Sequence, residues 1–176
     1  MPKYRWSDHL KKWLLDTETI EKVAICSANS GNVWSKLPDE FNFTRDEAIA
    51  IIHKNGEPYI YNIVVFDEAH EIKEFDKPSM MTIGGEAFQC IGINSDRFLI
   101  FSTSTLPKIN SPADKHLIPS IAKKNINSSP AKNINNAWVY KTKRCLIIAT
   151  YKLVKNQLES RMAIQRFINF LAENNF

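Results

Sequence analysis

The stretch KTKRCLIIATY, at residues 141–151, places a short charged turn in front of a continuous apolar run. Together with the apolar residues before it, this stretch predicts a hairpin that turns at Lys143 and whose second strand covers residues 145–151. Asn156 is a favoured N-cap residue, so we expect a long helix to follow over residues 156–173. The end of the chain is therefore predicted to combine an antiparallel hairpin with a helix.

Two more helices are predicted nearer the N-terminus. Apolar residues recur at helical spacing from Trp6, which predicts a helix over residues 6–17. Thr44 and Glu47 have the identity and spacing of a capping box, which predicts a helix over residues 46–54. No apolar run approaches the roughly 20 residues that span a bilayer, and the charged N-terminus is unlike a signal peptide. We therefore expect neither a membrane-spanning helix nor a signal peptide.

Short apolar segments between turn residues predict the other strands. They lie at residues 23–27, 33–35, 59–66, 80–83, 88–91 and 98–101. Residues 67–78 are polar and acidic, so we expect a loop there. Helices at both ends of an antiparallel run of strands indicate an α+β fold, and the length indicates a single domain over residues 1–176.

The net charge of +4 arises in one segment. Residues 104–135 contain five of the 23 basic residues and one of the 19 acidic residues, so the rest of the chain is balanced. A net charge this small does not indicate a nucleic-acid-binding protein. Four of the eight prolines lie in the same segment. Its Lys, Pro, Asn and Ser content predicts a flexible basic insertion.

Residues that could support catalysis or metal binding are scattered. Cys26, Cys90 and Cys145 lie in apolar contexts without CxxC spacing, which predicts buried thiols in a reducing compartment. Residues 67–70 (DEAH) match a helicase nucleotide motif. However, none of the five glycines precedes a lysine, so the phosphate-binding loop that this chemistry requires is missing. We therefore expect no enzymatic activity, no metal and no cofactor.

Five short motifs occur in the order and spacing of a known family. They are WSDHL at 6–10, GNVW at 31–34, FTRDEAI at 43–49, TIGG with the following Phe at 82–88, and KTKRCLIIATY at 141–151. Together they resemble profilin, a family of small actin-monomer-binding proteins. Within the family the chain looks most like the archaeal profilins of the Asgard group, with protist profilins as the rival.

The resemblance implies a central antiparallel sheet of six to seven strands. The N- and C-terminal helices would lie on one face of the sheet, and a shorter helix on the other. In the family, the terminal helices carry a polyproline-binding groove, and the matching residues here are Trp6, His9, Trp34, Phe170, Leu171 and Phe176. His9 stands where many members have Tyr, and the two phenylalanines stand where Tyr or His is common. The phenolic O–H groups that would donate to proline carbonyls are thus lost, and we expect the groove to bind proline-rich peptides more weakly.

The actin-binding face of the family comprises the strands after the Gly-Gly hairpin and the start of the last helix. The matching residues here are Gln89, Cys90, Ile91, Ser102, Asn136, Lys155, Asn156, Leu158, Arg161, Met162, Gln165 and Arg166. The basic residues in this set suit the acidic surface of actin. Ala87 and Gly92 stand where basic residues are frequent, and Leu158 where Gly is frequent, which favours binding to a cognate actin over a conventional one.

Two classes of function follow. The first is a non-enzymatic, cytoplasmic, monomeric adaptor of the cytoskeleton, which binds an actin monomer on one face and proline-rich partners on the other. The second is a sensor or ligand-binding α+β module of the PAS, GAF or longin type, which requires an internal pocket. A phosphoinositide-binding surface is compatible with the first, because each lysine of residues 104–135 would attract anionic headgroups by about 1 kcal/mol.

Overall fold

One antiparallel sheet of eight strands organises the computed structural model, which describes residues 5–56, 61–67, 70–94, 98–103, 135–151 and 157–176. The strands are β1 (Lys22–Ser27), β2 (Val33–Leu37), β3 (Tyr61–Asp67), β4 (His70–Ile83), β5 (Glu86–Asn94), β6 (Leu99–Ser102), β7 (Asn136–Lys141) and β8 (Cys145–Tyr151). Their order across the sheet is β2-β1-β8-β7-β6-β5-β4-β3. Strand β8 therefore joins the N-terminal hairpin to the meander formed by β3 to β7.

Helices lie on both faces of this sheet. Within the described residues they are α1 (Trp6–Trp13), which a short 3-10 turn (Leu15–Thr17) follows, α2 (Arg45–Gly56) and α3 (Gln157–Glu173). Leu10 of α1 and Phe167 of α3 belong to one buried core, and Ile51 of α2 belongs to a second. This confirms the predicted α+β arrangement, with the terminal helices on one face and the shorter helix on the other.

Strand β8 is buried along its whole length. Ile147 and Ala149 belong to the core under α1 and α3, whereas Leu146 and Ile148 belong to the core under α2. A strand that is covered on both faces needs apolar side chains on both. This requirement explains the continuous apolar run in KTKRCLIIATY, where a strand with one solvated face would alternate apolar and polar residues.

The prediction of a loop at residues 67–78 is wrong, because most of this segment forms the first part of β4. Strand β4 pairs antiparallel with β3, from Tyr61 opposite Phe75 to Asp67 opposite His70, and with β5 on its other side. Backbone hydrogen bonds define a strand whatever its side chains, and strands near the edge of a sheet tolerate polar residues. Composition alone therefore suggested a loop. The sheet has eight strands, one more than the six to seven that the resemblance implied.

Hydrogen bonds between Thr103 and Asn135 close the junction between β6 and β7, where the predicted basic insertion leaves the sheet and returns to it. The Thr103 N–H donates to the Asn135 carbonyl oxygen at 2.9 Å, and the Asn135 N–H donates to Thr103 Oγ1 at 2.9 Å. Apart from Asn135, residues 104–135 lie outside the described part of the chain. The two ends of this connection are thus held at a fixed position on the sheet.

Glu47 connects the start of α2 to the β4–β5 hairpin. Its Oε2 accepts from the Thr44 N–H at 3.0 Å, and its own N–H donates to Thr44 Oγ1 at 3.2 Å, which confirms the predicted capping box. The same carboxylate accepts from the N–H of Gly84 at 3.0 Å and of Gly85 at 2.9 Å. A single side chain therefore caps a helix and holds the hairpin turn beside it.

The Gly84–Gly85 turn needs glycine for two different reasons. Both residues have positive φ, 63° and 81°, as the tight two-residue hairpin turn requires. A Cβ on Gly84 would also clash with the buried Phe41 ring, whereas a Cβ on Gly85 would meet nothing within 4 Å. The two positions thus share the backbone strain and differ in the steric clash.

We expect Gly84→Ala to destabilise the protein more than Gly85→Ala. Each alanine pays roughly 1–2 kcal/mol for the left-handed backbone, and Gly84→Ala adds roughly 1–3 kcal/mol because Phe41 must move in a filled core. Urea unfolding followed by tryptophan fluorescence measures both free energies of unfolding. Equal losses in the two variants would contradict the steric role of Phe41.

The three cysteines are buried, as predicted from their apolar contexts. Burial raises the pKa of Cys26 and of Cys90 to about 12, and burial also raises the pKa of Cys145. All three thiols are therefore protonated near neutral pH, and the thiolate is the form that reacts.

The folded protein should accordingly be inert to Ellman's reagent at about pH 8, where an ordinary cysteine with a pKa of about 8.5 reacts readily. In concentrated guanidinium chloride all three thiols should react, because unfolding exposes them. Release of the coloured thiolate measures both states. Rapid modification of one thiol in the native protein would show that its part of the core opens.

Candidate functional site

Aromatic rings from three separate parts of the chain meet beside α1. The Trp6 and Trp34 rings are stacked, with centroids 5.4 Å apart and an angle of 23° between planes. The Phe176 ring meets Trp6 edge to face, at 4.9 Å and 79°. These three side chains line a shallow depression of about 370 Å³. Flat rings around an open depression form a surface on which another flat or extended group can stack.

Trp34 reaches this position through a β-bulge. Along β1, Ile25 lies opposite Ser35 but the next residue, Cys26, lies opposite Val33, so Trp34 is the extra residue of β2. A bulge interrupts the alternation of a strand and redirects a side chain. Here it turns the indole toward α1, where 36% of the side chain stays exposed.

Phe176 is held in place by the way in which α3 ends. The Phe176 N–H donates to the Leu171 carbonyl at 2.9 Å, and the Asn175 N–H donates to the Ala172 carbonyl at 3.2 Å. Asn175 has φ of 63°, the left-handed conformation that this Schellman cap requires. The chain therefore turns back at its end and brings the last aromatic ring onto Trp6.

The aromatic contacts continue along α1 and α3. Phe170 stacks on His9 at 5.1 Å and 30°, and on Trp13 at 5.2 Å and 28°. His9 also contacts Trp6, with ring centroids 6.5 Å apart. Five of the six residues predicted for the polyproline groove thus form one continuous aromatic surface: Trp6, His9, Trp34, Phe170 and Phe176. The sixth, Leu171, is buried in the core below them.

Trp13 also belongs beside this aromatic surface, although the sequence interpretation did not include it. Its position seven residues after Trp6 is the signal that could have found it, since two helical turns return to nearly the same face. It is half-buried, and the Lys12 ammonium lies 5.9 Å from the centre of its ring. With Trp13, the aromatic rings extend over two turns along α1, in addition to the contacts from α1 to Trp34 and to Phe170.

A second candidate surface crosses the sheet at the other end of α3. Met80 of β4 lies opposite Gln89 of β5, which lies opposite Ser102 of β6, which lies opposite Asn136 of β7. Register partners in neighbouring strands point to the same face of a sheet. The next residue in this row is Tyr151 of β8, which belongs to the core under α1 and α3. The row therefore lies on the α3 side of the sheet.

The start of α3 is fixed beside this row. Trp138, two residues after Asn136, donates its indole N–H to Ser160 Oγ at 3.1 Å, and both residues are buried. Leu158 and Met162, one turn apart on α3, are 50% and 45% exposed. Met80 at the far end of the row is 64% exposed. We call the row and these helical residues the sheet–helix surface.

The remaining residues predicted for the actin face occupy different environments. Cys90 is buried on the opposite side of the sheet, in the core under α2, and Ser102 is 5% exposed. Ile91 packs against the core under α1 and α3. Lys155 and Asn156 lie outside the described residues.

The other predicted residues of α3 lie nearer the solvent. Arg161 and Gln165 are half-buried, and Arg166 is exposed. Met80 was missed by the sequence interpretation, because a lone methionine in a predicted strand carries no signal of exposure. Its place in the row follows from the strand register and not from its neighbours in sequence.

In the described part of the chain, no group of three or more His, Cys, Asp or Glu side chains is arranged to hold a metal ion. No helix among the same residues is long and apolar enough to cross a membrane.

Comparisons with known proteins identify a family and a fold. The family model described as Profilin matches residues 4–176. Mouse profilin IIa, solved in complex with a double repeat from the FH1 domain of mDia1, is 14% identical with a TM-score of 0.55, over 97% of this chain and 99% of that one. Acanthamoeba castellanii profilin II is 11% identical with a TM-score of 0.50, over 98% of this chain and 100% of that one. No curated protein sequence matches.

Proposed function

The chain belongs to the profilin family, and from that premise we propose that it binds actin monomers through the sheet–helix surface and so regulates actin polymerisation. The observation that carries this proposal is the exposure of Met80, Leu158 and Met162 on that surface. Of the four large apolar side chains that are exposed in the described residues, these three belong to the sheet–helix surface, and the fourth is Trp34. Large apolar side chains that stay exposed indicate candidate protein interfaces.

The chemistry of this surface suits a protein partner. Methionine is flexible and polarisable, so it adapts to an irregular partner surface. Arg166 is exposed on α3 one turn after Met162, and it provides a positive charge at the edge of the apolar patch. Positive charge at the rim of an interface speeds association with an acidic partner such as actin.

We further propose that the aromatic surface binds proline-rich peptides. A polyproline II helix is already extended, so binding costs little conformational entropy, and its rings stack on aromatic side chains. The complex of mouse profilin IIa with an FH1 repeat supports this proposal. His9, Phe170 and Phe176 supply rings without phenolic O–H groups, so we expect weaker binding than in a groove lined by tyrosines.

The two proposed sites lie at opposite ends of α3. This helix has 17 residues. It is therefore about 25 Å long. Leu158 and Met162 lie near its start, and Phe170 and Phe176 lie at its end. We propose that the protein is a monomeric, non-enzymatic adaptor that holds actin and a proline-rich partner at the same time.

Two finer proposals rest on the sequence and the family. We propose a cytoplasmic location, in association with the actin cytoskeleton. We also propose that anionic phosphoinositide lipids are a further partner, because residues 104–135 contain five lysines and one acidic residue. Co-sedimentation with phosphoinositide vesicles, with and without this segment, tests the lipid proposal.

The variant Met162→Glu should weaken binding to the actin of the same organism by roughly tenfold or more, because it buries a carboxylate in an apolar contact. The matched control is Ala172→Glu, which adds the same charge to an exposed position near the other end of α3. Pyrene-actin polymerisation and a monomer-binding titration measure the effect. If Met162→Glu binds as the unmodified protein does, actin binds elsewhere.

The variant Trp34→Ala should raise the Kd for a proline decamer by roughly tenfold, because it removes half of the stacked indole pair. The matched control is Lys36→Ala on the same strand, which lies opposite Ala24 and so faces the α2 side of the sheet. Titration of tryptophan fluorescence measures both, with Trp6 as the remaining reporter. Actin binding should be unchanged in both variants, and its loss in Trp34→Ala would contradict two separate sites.

A further inference from the structure

A cavity of about 240 Å³ lies on the α2 side of the sheet, away from both surfaces described above. Its apolar wall consists of Phe41, Ile83 and Phe88, which are each at most 2% exposed. Thr150 near the end of β8 and Asn135, directly before β7, supply polar groups. Neither the actin proposal nor the polyproline proposal uses this cavity.

Two buried polar atoms in the lining have no hydrogen-bond partner. They are Asn135 Oδ1 and Thr150 Oγ1, two of three such side-chain atoms in the described part of the chain. Thr150 as a whole is 5% exposed. An unpaired polar atom in the interior costs about 1–3 kcal/mol, so both atoms need a hydrogen-bond partner from a molecule that occupies the cavity, whether water or a ligand.

The orientation of the Asn135 amide is fixed by Glu86. Asn135 Nδ2 donates to Glu86 Oε1 at 2.8 Å and to Oε2 at 2.9 Å. Exchanging the amide oxygen and nitrogen would place the oxygen against a carboxylate, so this assignment is the chemically sensible one. Asn135 Oδ1 is therefore an acceptor that needs a donor from a group inside the cavity.

Charged groups of both signs and aromatic rings line the cavity. Its described lining includes two carboxylates, those of Glu21 and Glu86, and one ammonium, that of Lys22. The Lys22 ammonium lies 5.9 Å from the centre of the Phe41 ring. The cavity thus combines the Glu86 carboxylate, two unsatisfied acceptors and aromatic walls. This combination suits a positively charged donor with an apolar stem.

We propose that this cavity binds a primary alkylammonium group, either the lysine side chain of another protein or a small free polyamine. The three N–H donors of an ammonium match in number the acceptors Asn135 Oδ1, Thr150 Oγ1 and the Glu86 carboxylate. The apolar stem packs against Phe41 and Phe88. The cavity volume of about 240 Å³ leaves room for the non-hydrogen atoms of a lysine side chain beyond Cα.

The first test is a titration of the isotope-labelled protein with n-butylammonium chloride at constant ionic strength, followed by amide chemical shifts. Saturable shifts centred on Lys22, Phe88 and Thr150 are expected. Sodium chloride should cause none of them, and n-butanol, which has the same stem without the charge, should bind at least tenfold more weakly. Equal binding of butanol, or no saturable shift, would overturn the proposal and leave a cavity filled by water.

Two variants test the polar contacts. Thr150→Val and Glu86→Gln should each raise the Kd for n-butylammonium by roughly tenfold, because each weakens a hydrogen bond to a charged group. The matched control for the first is Thr82→Val, at an exposed position on the opposite face of β4. Thr150→Val removes an unpaired buried hydroxyl, so its free energy of unfolding should not fall. Unchanged binding in both variants would overturn the proposal.

A last titration identifies the source of the amine. Acetyl-Gly-Lys-Gly amide represents a lysine side chain in a protein, and 1,4-diaminobutane represents a free polyamine. Saturable binding of either at the same amides supports the proposal and names its source. Binding of neither would overturn it. All of these titrations are independent of actin and proline binding, so their outcome does not depend on the proposed function.

Discussion

The burial of β8 on both faces is the constraint on which the rest of the structure depends. Its seven residues are all buried, so the sheet needs a cover on each side. Helices α1 and α3 supply one cover and α2 supplies the other. Because β8 also pairs with β1, the N-terminal hairpin lies next to the C-terminal strand. Helix α1 and the end of α3 thereby meet, and the aromatic surface is a consequence of that meeting.

Local signals and family motifs were enough to predict most of the fold. The capping box of Thr44 and Glu47 acts within one helical turn, so four residues suffice to recognise it. The hydrogen bonds that the N–H groups of Gly84 and Gly85 donate to Glu47 join positions 37 and 38 residues apart, and no local pattern contains them. The first part of strand β4 was missed for the same reason, because its partners and not its own composition make it a strand.

The candidate sites divide in the same way. The resemblance placed Trp34 in the aromatic surface, but the bulge that turns it toward Trp6 depends on the pairing of β1 with β2. The left-handed Asn175 that brings Phe176 back onto Trp6 is a matter of one backbone angle. Met80 enters the sheet–helix surface only through strand register. Sequence thus indicates which residue types can bind, and the long-range pairing decides which of them come together.

The closure of the β6–β7 junction by Thr103 and Asn135 has a consequence for how this protein can change over evolution. The chain between these two positions has 31 residues, and its ends are already held by the sheet. Doubling the length of a connection with fixed ends costs only about 0.6 kcal/mol of loop entropy. Selection can therefore lengthen, shorten or rewrite this connection while the strands keep their register. It is a place where one lineage can acquire a property that its relatives lack, without rebuilding the domain.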